Sequence, residues 1–287
     1  MPATLNQKAR GILQIFRPEL PAAAGTCVVL GEVIALGGLS SLHDIVVGFL
    51  CGFFISGSAI VWNDYFDLEV DRVNTPERPL PMGLLSPGEA ILVAVVTALL
   101  GLGAAWLISL PAFVLCAIFW LIGFLYNWKF KEAGLAGNLM VSASVGITFI
   151  LGGMAAGEPW NKIVWCFAAM AFFIDLGEEI AGDAMDMEGD KKRASKSIAI
   201  QRGRNFALAI SSSCFALAVT ISLIPALLGW MGTVYLILIG LTDALIAGFT
   251  IRLLRSRTPV EGRTSMRGIY LGAMAGVLAA ILGQVLH

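Results

Sequence analysis

Charge is what this chain has little of. Only 14% of its 287 residues are charged while 57% are hydrophobic, against roughly a quarter charged and under half apolar in soluble domains. That composition excludes a water-soluble globule and indicates a membrane protein. A surplus of either sign is also missing. Nineteen basic residues face twenty acidic ones, for a net charge of −1, which excludes a nucleic-acid partner bound by bulk phosphate neutralisation. There is no CxxC pair. Cys27, Cys51, Cys116, Cys166 and Cys214 lie far apart within apolar stretches and read as small buried hydrophobes, not as disulfide partners or zinc ligands. None of the 32 glycines belongs to a GxGxxG loop that would cradle a phosphate. The only two histidines, His43 and His287, fall at predicted extracytoplasmic ends. The first sixteen residues hold no single apolar run, so no cleavable signal peptide is expected.

What the chain does have is long apolar stretches. A spanning helix needs about 20 mostly apolar residues, and such runs occur at 19–38, 43–62, 88–108, 110–128, 138–157, 160–181, 206–227, 231–253 and 266–286. Nine transmembrane helices in a single domain over 1–287 are expected. Before the first span, Leu5, Ala9, Ile12 and Phe16 recur at helical spacing opposite Lys8 and Arg10, which predicts an N-terminal helix within 1–17 lying in the interface. Alternate connections divide the basic residues sharply: 18 of the 19 fall on one side and Lys162 alone on the other. The positive-inside rule then puts the N-terminus and the long polar loops of this multi-pass protein in the cytoplasm. Gly272 and Gly276 in the last span are expected to let helices approach closely.

Eleven of the twenty acidic residues fall within 64–71 and 175–190. Asp64, Asp67 and Asp71 are offset by three and four, and Asp183, Asp186 and Asp190 repeat those offsets, so each triplet shares one helix face. Three crowded carboxylates repel one another unless a cation offsets them. Hard oxygen donors suit Mg²⁺, which binds one or two carboxylates together with substrate phosphate oxygens. One triplet follows the second span and the other the sixth. A four-span offset keeps both on one membrane face and implies two parallel pseudo-repeats, unlike an inverted transporter repeat. The two clusters can then share one cytoplasmic mouth. Cations accompany them: Arg72 and Arg78, then Lys191, Lys192, Arg193 and Lys196, with Lys129 and Lys131 between. Acids for a metal beside bases for direct contact are what a diphosphate leaving group requires. Glu32 and Asp243 fall within predicted spans, where a carboxylate either lines a cavity or is satisfied by neighbouring helices. The same acidic repeat also admits a cation transporter.

The segment Asn63-Asp64-Tyr65-Phe66-Asp67-Leu68-Glu69-Val70-Asp71 resembles the NDxxDxxxD motif of UbiA-type intramembrane prenyltransferases. Asn74, Pro76 and Arg78-Pro79-Leu80-Pro81-Met82-Gly83 resemble that superfamily's RPLPSG-type loop. Asp183 to Asp190, with Lys196-Ser197 downstream, is similar to its second aspartate motif. Within the superfamily, Tyr126-Asn127-Trp128-Lys129-Phe130-Lys131, Gly137-Asn138 and Glu188-Gly189-Asp190 look most like the archaeal digeranylgeranylglyceryl phosphate synthases.

The resemblance implies nine helices around a central cavity open to lipid. It implies Mg²⁺-dependent transfer of geranylgeranyl from geranylgeranyl diphosphate to the hydroxyl of geranylgeranylglyceryl phosphate, with an aromatic quinone or tetrapyrrole precursor as the alternative acceptor. The implied metal shell is Asn63, Asp64, Asp67, Asp71, Asp183, Asp186 and Asp190. Arg72, Arg78, Tyr126, Lys129 and Lys196, with Asn63, are the expected diphosphate contacts. Arg17, Lys131, Lys191 and Lys192 are expected at the acceptor phosphate.

Overall fold

Capping residues set where the helices begin. In the computed structural model, which describes residues 4–188 and 195–285, Thr4 and Gln7 form a capping box at the head of α1 (Leu5–Phe16). Ser86 and Glu89 do the same for α5 (Pro87–Ile108), with Pro87 in the first turn. Ser41 caps α3 (Leu42–Phe66). Ser109 is extended, at φ −173° and ψ 161°, and caps α6 (Leu110–Leu125). Asn161 accepts hydrogen bonds from the Ile163 and Val164 amides to start α8 (Lys162–Met185). Each such oxygen satisfies amide groups that the first turn leaves without a partner. The remaining elements are α2 (Glu19–Leu36), the short α4 (Leu68–Asn74), α7 (Leu135–Ala155), α9 (Ile198–Arg202), α10 (Arg204–Leu227), α11 (Thr233–Arg255) and α12 (Pro259–Val285). There is no β-strand among the described residues.

A helix stands at every apolar run read from the sequence, and several outlast the run. α3 continues past residue 62 to Phe66, and α8 past residue 181 to Met185. An apolar window closes where the sequence turns polar on average, whereas the backbone hydrogen-bond ladder does not depend on side-chain polarity. That difference carries Asp64 and Asp183 onto rigid helix. Among the described residues, eight helices are long and apolar enough to cross a membrane. α8 matches them in length but carries Asp175, Glu178, Glu179 and Asp183 in its second half. The protein is an integral membrane protein.

The described chain forms two compact units, residues 4–29 with 41–128 and residues 30–40 with 129–285. In the first, α3 packs along α5 through the buried small residues Ala90, Ala94, Ala98 and Ala105. Ser58 donates to the Ala94 carbonyl at 2.8 Å and accepts from Trp120 Nε1 at 3.0 Å. α1 seats Phe16 on Gly57, where a methyl group would collide with the ring, and sets it 5.2 Å from the Phe53 ring, tilted by 53°. Lys8 pairs with Glu89 on α5.

In the second unit, α8 lies against α7 and α10, and α11 against α12. Ser211 donates to the Gly177 carbonyl at 2.6 Å. Gly272 and Gly276 give α12 the close approach expected of them: a methyl at Gly272 would sit 2.8 Å from Ile246, and one at Gly276 3.3 Å from Thr242. Asp243 is buried and accepts from Ser222 at 2.7 Å, so a neighbouring helix satisfies it.

Candidate active site

The first aspartate cluster is built where α3 passes into α4. Asp67 donates its amide to the Asn63 carbonyl at 2.9 Å, and Asp71 donates to Asp67 at 2.8 Å. The ladder thus runs almost unbroken across the joint, and helical spacing holds through all three aspartates. Asp64 and Asp71 are only 3% and 6% exposed. Unpaired carboxylates at that depth would be costly, and arginines supply the compensation. Arg78 Nη1 lies 2.6 Å from Asp71 Oδ2 and 3.3 Å from Asp64 Oδ1, and Arg17 Nη2 pairs with the same Asp64 oxygen. Thr75 Oγ1 donates to Asp71 Oδ1 at 2.7 Å.

Arg78 is aimed by the turn that follows α4. Its amide bonds to the Thr75 carbonyl, and its own carbonyl accepts from Met82, while Leu80 and Leu85 are buried beneath. Burial lowers the guanidinium pKa, but the hydrogen bond to Asp71 and the charges of Asp64 and Asp71 outweigh it and hold the group above its ordinary value. Arg72 instead lies exposed and bonds Glu69 at 2.8 Å.

Asn63 reaches a residue that the sequence reading quoted but gave no role. Tyr126–Phe130 forms a π-helical turn at the end of α6. It places Asn127 to accept from Asn63 Nδ2 at 3.1 Å while donating to the carbonyls of Ala59 and Gly123 at 3.2 and 3.0 Å. π-turns of this kind are frequent at functional sites. The sequence signal was the YNWKF segment itself, but nothing in it distinguishes a π-turn from ordinary helix. Tyr126 is half-buried and Lys129 exposed.

The second cluster occupies α8. Asn138 on α7 donates to Asp183 at 2.9 Å, and Ser142, one turn further along, donates to Asp175 at 2.8 Å. Glu179 lies between these two aspartates in sequence, and Lys131 is near enough to act on it electrostatically. The row Asp175, Glu179, Asp183 is the four-residue spacing run backwards from the predicted triplet. Its first two members lie within the apolar run 160–181, whereas the predicted triplet with offsets of three and four starts only at Asp183. Asp186 is exposed and pairs with Arg263 on α12, an arginine read from sequence only as a topology signal. Asp190, Lys191 and Lys192, with Gly189 and Arg193, lie outside the described residues. Lys196 is held by its backbone: its amide donates to the Glu132 carbonyl at 3.0 Å, and its carbonyl accepts from Gln201 at 2.6 Å. That carbonyl is packed so closely on Gly134, at φ +64°, that only glycine fits there. Lys196, Gln201, Arg202 and Phe206 line part of a cleft of about 310 Å³.

Among the described residues no three acidic side chains converge closely enough to hold an ion unaided. The donors are nonetheless all oxygen, the set Mg²⁺ prefers, and Mg²⁺ commonly completes its octahedron with phosphate oxygens and water. The residues fit that cation. Comparison with known proteins decides the family: the model of the UbiA prenyltransferase family matches residues 24–282.

The chain belongs to the UbiA prenyltransferase family.

It is similar to the digeranylgeranylglyceryl phosphate synthase of Thermococcus kodakarensis, at 33% identity over 97% of this chain and 99% of that protein. The Methanopyrus kandleri protein of the same name is 36% identical over 94% and 97%. A solved structure described as digeranylgeranylglyceryl phosphate synthase superposes with a TM-score of 0.86 at 28% identity, covering 98% of this chain and 99% of that one. A UbiA homolog from Archaeoglobus fulgidus, solved with DMAPP and Mg²⁺, shares the fold at a TM-score of 0.62 and 22% identity, covering 94% and 98%. As a UbiA member this protein is a prenyltransferase.

Proposed function

We propose that this UbiA enzyme transfers a geranylgeranyl group from geranylgeranyl diphosphate to the free hydroxyl of geranylgeranylglyceryl phosphate, with Mg²⁺ as cofactor. The observation that carries the reading is the pair of aspartate clusters, each interleaved with cations, in a chain that matches named digeranylgeranylglyceryl phosphate synthases end to end. The account takes the chain to cross the membrane nine times as two parallel repeats, with its N-terminus and polar loops cytoplasmic. Helices at every apolar run and the one-sided distribution of Lys and Arg support that topology.

Asn63, Asp64, Asp67, Asp71, Asp183, Asp186 and Asp190 would hold the cation. When bound, Mg²⁺ supplies Lewis acidity to the diphosphate oxygens. Arg78, anchored by Asp71, offers a fixed guanidinium to the same diphosphate, joined by Arg72, Tyr126, Lys129 and Lys196. Asn127 fixes the orientation of Asn63. The C1–O bond of the prenyl diphosphate breaks with its electron pair going to pyrophosphate. The hydroxyl oxygen of the acceptor then bonds to C1 of the allylic cation and releases its proton. Preorganised positive charge facing the leaving group lowers the barrier without reorganisation during the reaction.

The acceptor carries a phosphate of its own, for which Arg17, Lys131, Lys191 and Lys192 are the proposed contacts. Removing one charged contact from a buried phosphate costs about 1.5–3 kcal/mol, or roughly ten- to a hundredfold in affinity. Steady-state kinetics on the four single alanine variants should find at least one that raises KM for the glyceryl phosphate while barely moving KM for the diphosphate. Four variants with unchanged acceptor KM would remove this assignment.

A further inference from the structure

Arg17 occupies the one position among the described residues where a residue other than glycine takes a positive φ, 46° with ψ 64°. It closes α1 by donating its amide to the Leu13 carbonyl at 3.1 Å, and Pro18 after it disfavours continuing as helix. A left-handed residue with a Cβ is strained, and glycine or asparagine fills such a site more easily. Strain of this kind persists where the surroundings over-determine it, and it clusters at functional sites. Here the side chain accounts for the choice of residue: the guanidinium reaches the nearly buried Asp64 carboxylate.

The electrostatics of the cluster make this contact more than a structural tie. Asp64 Oδ1 is shared by Arg17 and, at 3.3 Å, by Arg78, whose shorter contact of 2.6 Å is with Asp71. Asp64, Asp67 and Asp71 with two arginines sum to a charge of −1, and without Arg17 to −2. A Mg²⁺ ion binds a carboxylate oxygen at about 2.0–2.1 Å. At that distance from Oδ1 it would lie against a guanidinium of like sign. The ion and the Arg17 guanidinium therefore compete for that oxygen.

We propose that Arg17 is a positioning residue that holds Asp64 while the first aspartate cluster is free of metal and yields that carboxylate to the divalent cation. The proposal rests on Asp64 being a metal ligand, as in the reading above. The released guanidinium then becomes available to the acceptor phosphate assigned to it there, so the metal precedes the acceptor.

Mn²⁺ is a spectroscopic substitute for Mg²⁺, and its binding to the full-length protein in detergent, without substrate, can be titrated by electron paramagnetic resonance. Arg17→Asn suits the left-handed backbone and removes the charge; Arg17→Lys keeps the charge. Arg17→Asn is expected to bind Mn²⁺ about tenfold more tightly than the parent, Arg17→Lys to stay within about threefold of it, and Asp64→Asn to lose the first-cluster ion. Unchanged or weaker Mn²⁺ binding in Arg17→Asn, with the ion lost in Asp64→Asn, overturns the role of Arg17 and leaves the metal assignment standing. Parent-like Mn²⁺ binding in Asp64→Asn overturns the assignment of Asp64 and this proposal with it.

Discussion

Replacing Asp67 or Asp186 by alanine is expected to lower kcat by about a thousandfold, while yield and thermal stability stay close to those of the parent. A bound cation stabilises the departing charge by several kcal/mol, and roughly 4 kcal/mol of lost stabilisation corresponds to three orders of magnitude in rate. Stability is spared for a different reason. Asp186 is exposed and its pair with Arg263 is a surface pair, worth under about 1 kcal/mol. Asp67 is only partly buried, so solvent screens the charge its removal takes away, and its repulsion of Asp64 is relieved.

Asp64 and Asp71 supply the contrast. Both are nearly buried and bonded to arginine, so alanine at either leaves guanidinium groups without their partner. Such variants should lose stability as well as turnover. Kinetic assays paired with thermal melts of the four variants separate the two classes. Near-parental kcat in Asp67→Ala or Asp186→Ala at saturating Mg²⁺ would remove the two-cluster account.

Withdrawing the cation should have an effect at least as large. Excess EDTA is expected to take turnover to background, Mg²⁺ or Mn²⁺ to restore it, and Ca²⁺ to restore little. Mg²⁺ holds six oxygens tightly and shares them with phosphate, whereas Ca²⁺ takes longer bonds and more ligands. Without a cation, a diphosphate would meet the carboxylates as like charges. Initial rates across a metal series check this, and full turnover in EDTA contradicts it.

Much of this was legible in the sequence because the bilayer imposes one rule, that every backbone polar group in hydrocarbon be satisfied within its own segment. Apolar run length therefore located the helices, and the offsets of the aspartates survived because α4 continues α3 with little break. Side-chain partnerships were not legible. Arg17 was assigned to the acceptor phosphate as one of a surplus of bases on the cytoplasmic side, and Arg72 to the diphosphate because it follows the first triplet. Neither reasoning could foresee that Arg17 bonds Asp64 across 47 positions while Arg72 bonds Glu69 three residues away. Asn127 depends on a π-turn and Arg263 on the packing of α12, neither of which periodicity encodes. Asp175 and Glu179 were counted in the acidic window but not as a row, because the repeated offsets of three and four picked out Asp183, Asp186 and Asp190 instead.

The central claim is that prenyl transfer occurs to a hydroxyl on a phosphate-bearing lipid. The direct measurement incubates purified protein with Mg²⁺ and labelled geranylgeranyl diphosphate, offers geranylgeranylglyceryl phosphate, 4-hydroxybenzoate or a naphthoate in parallel, and quantifies labelled product and released pyrophosphate. The account predicts a doubly geranylgeranylated glyceryl phosphate with equimolar pyrophosphate in the first reaction and background in the others; prenylation of an aromatic acceptor with none of the glyceryl phosphate would contradict it.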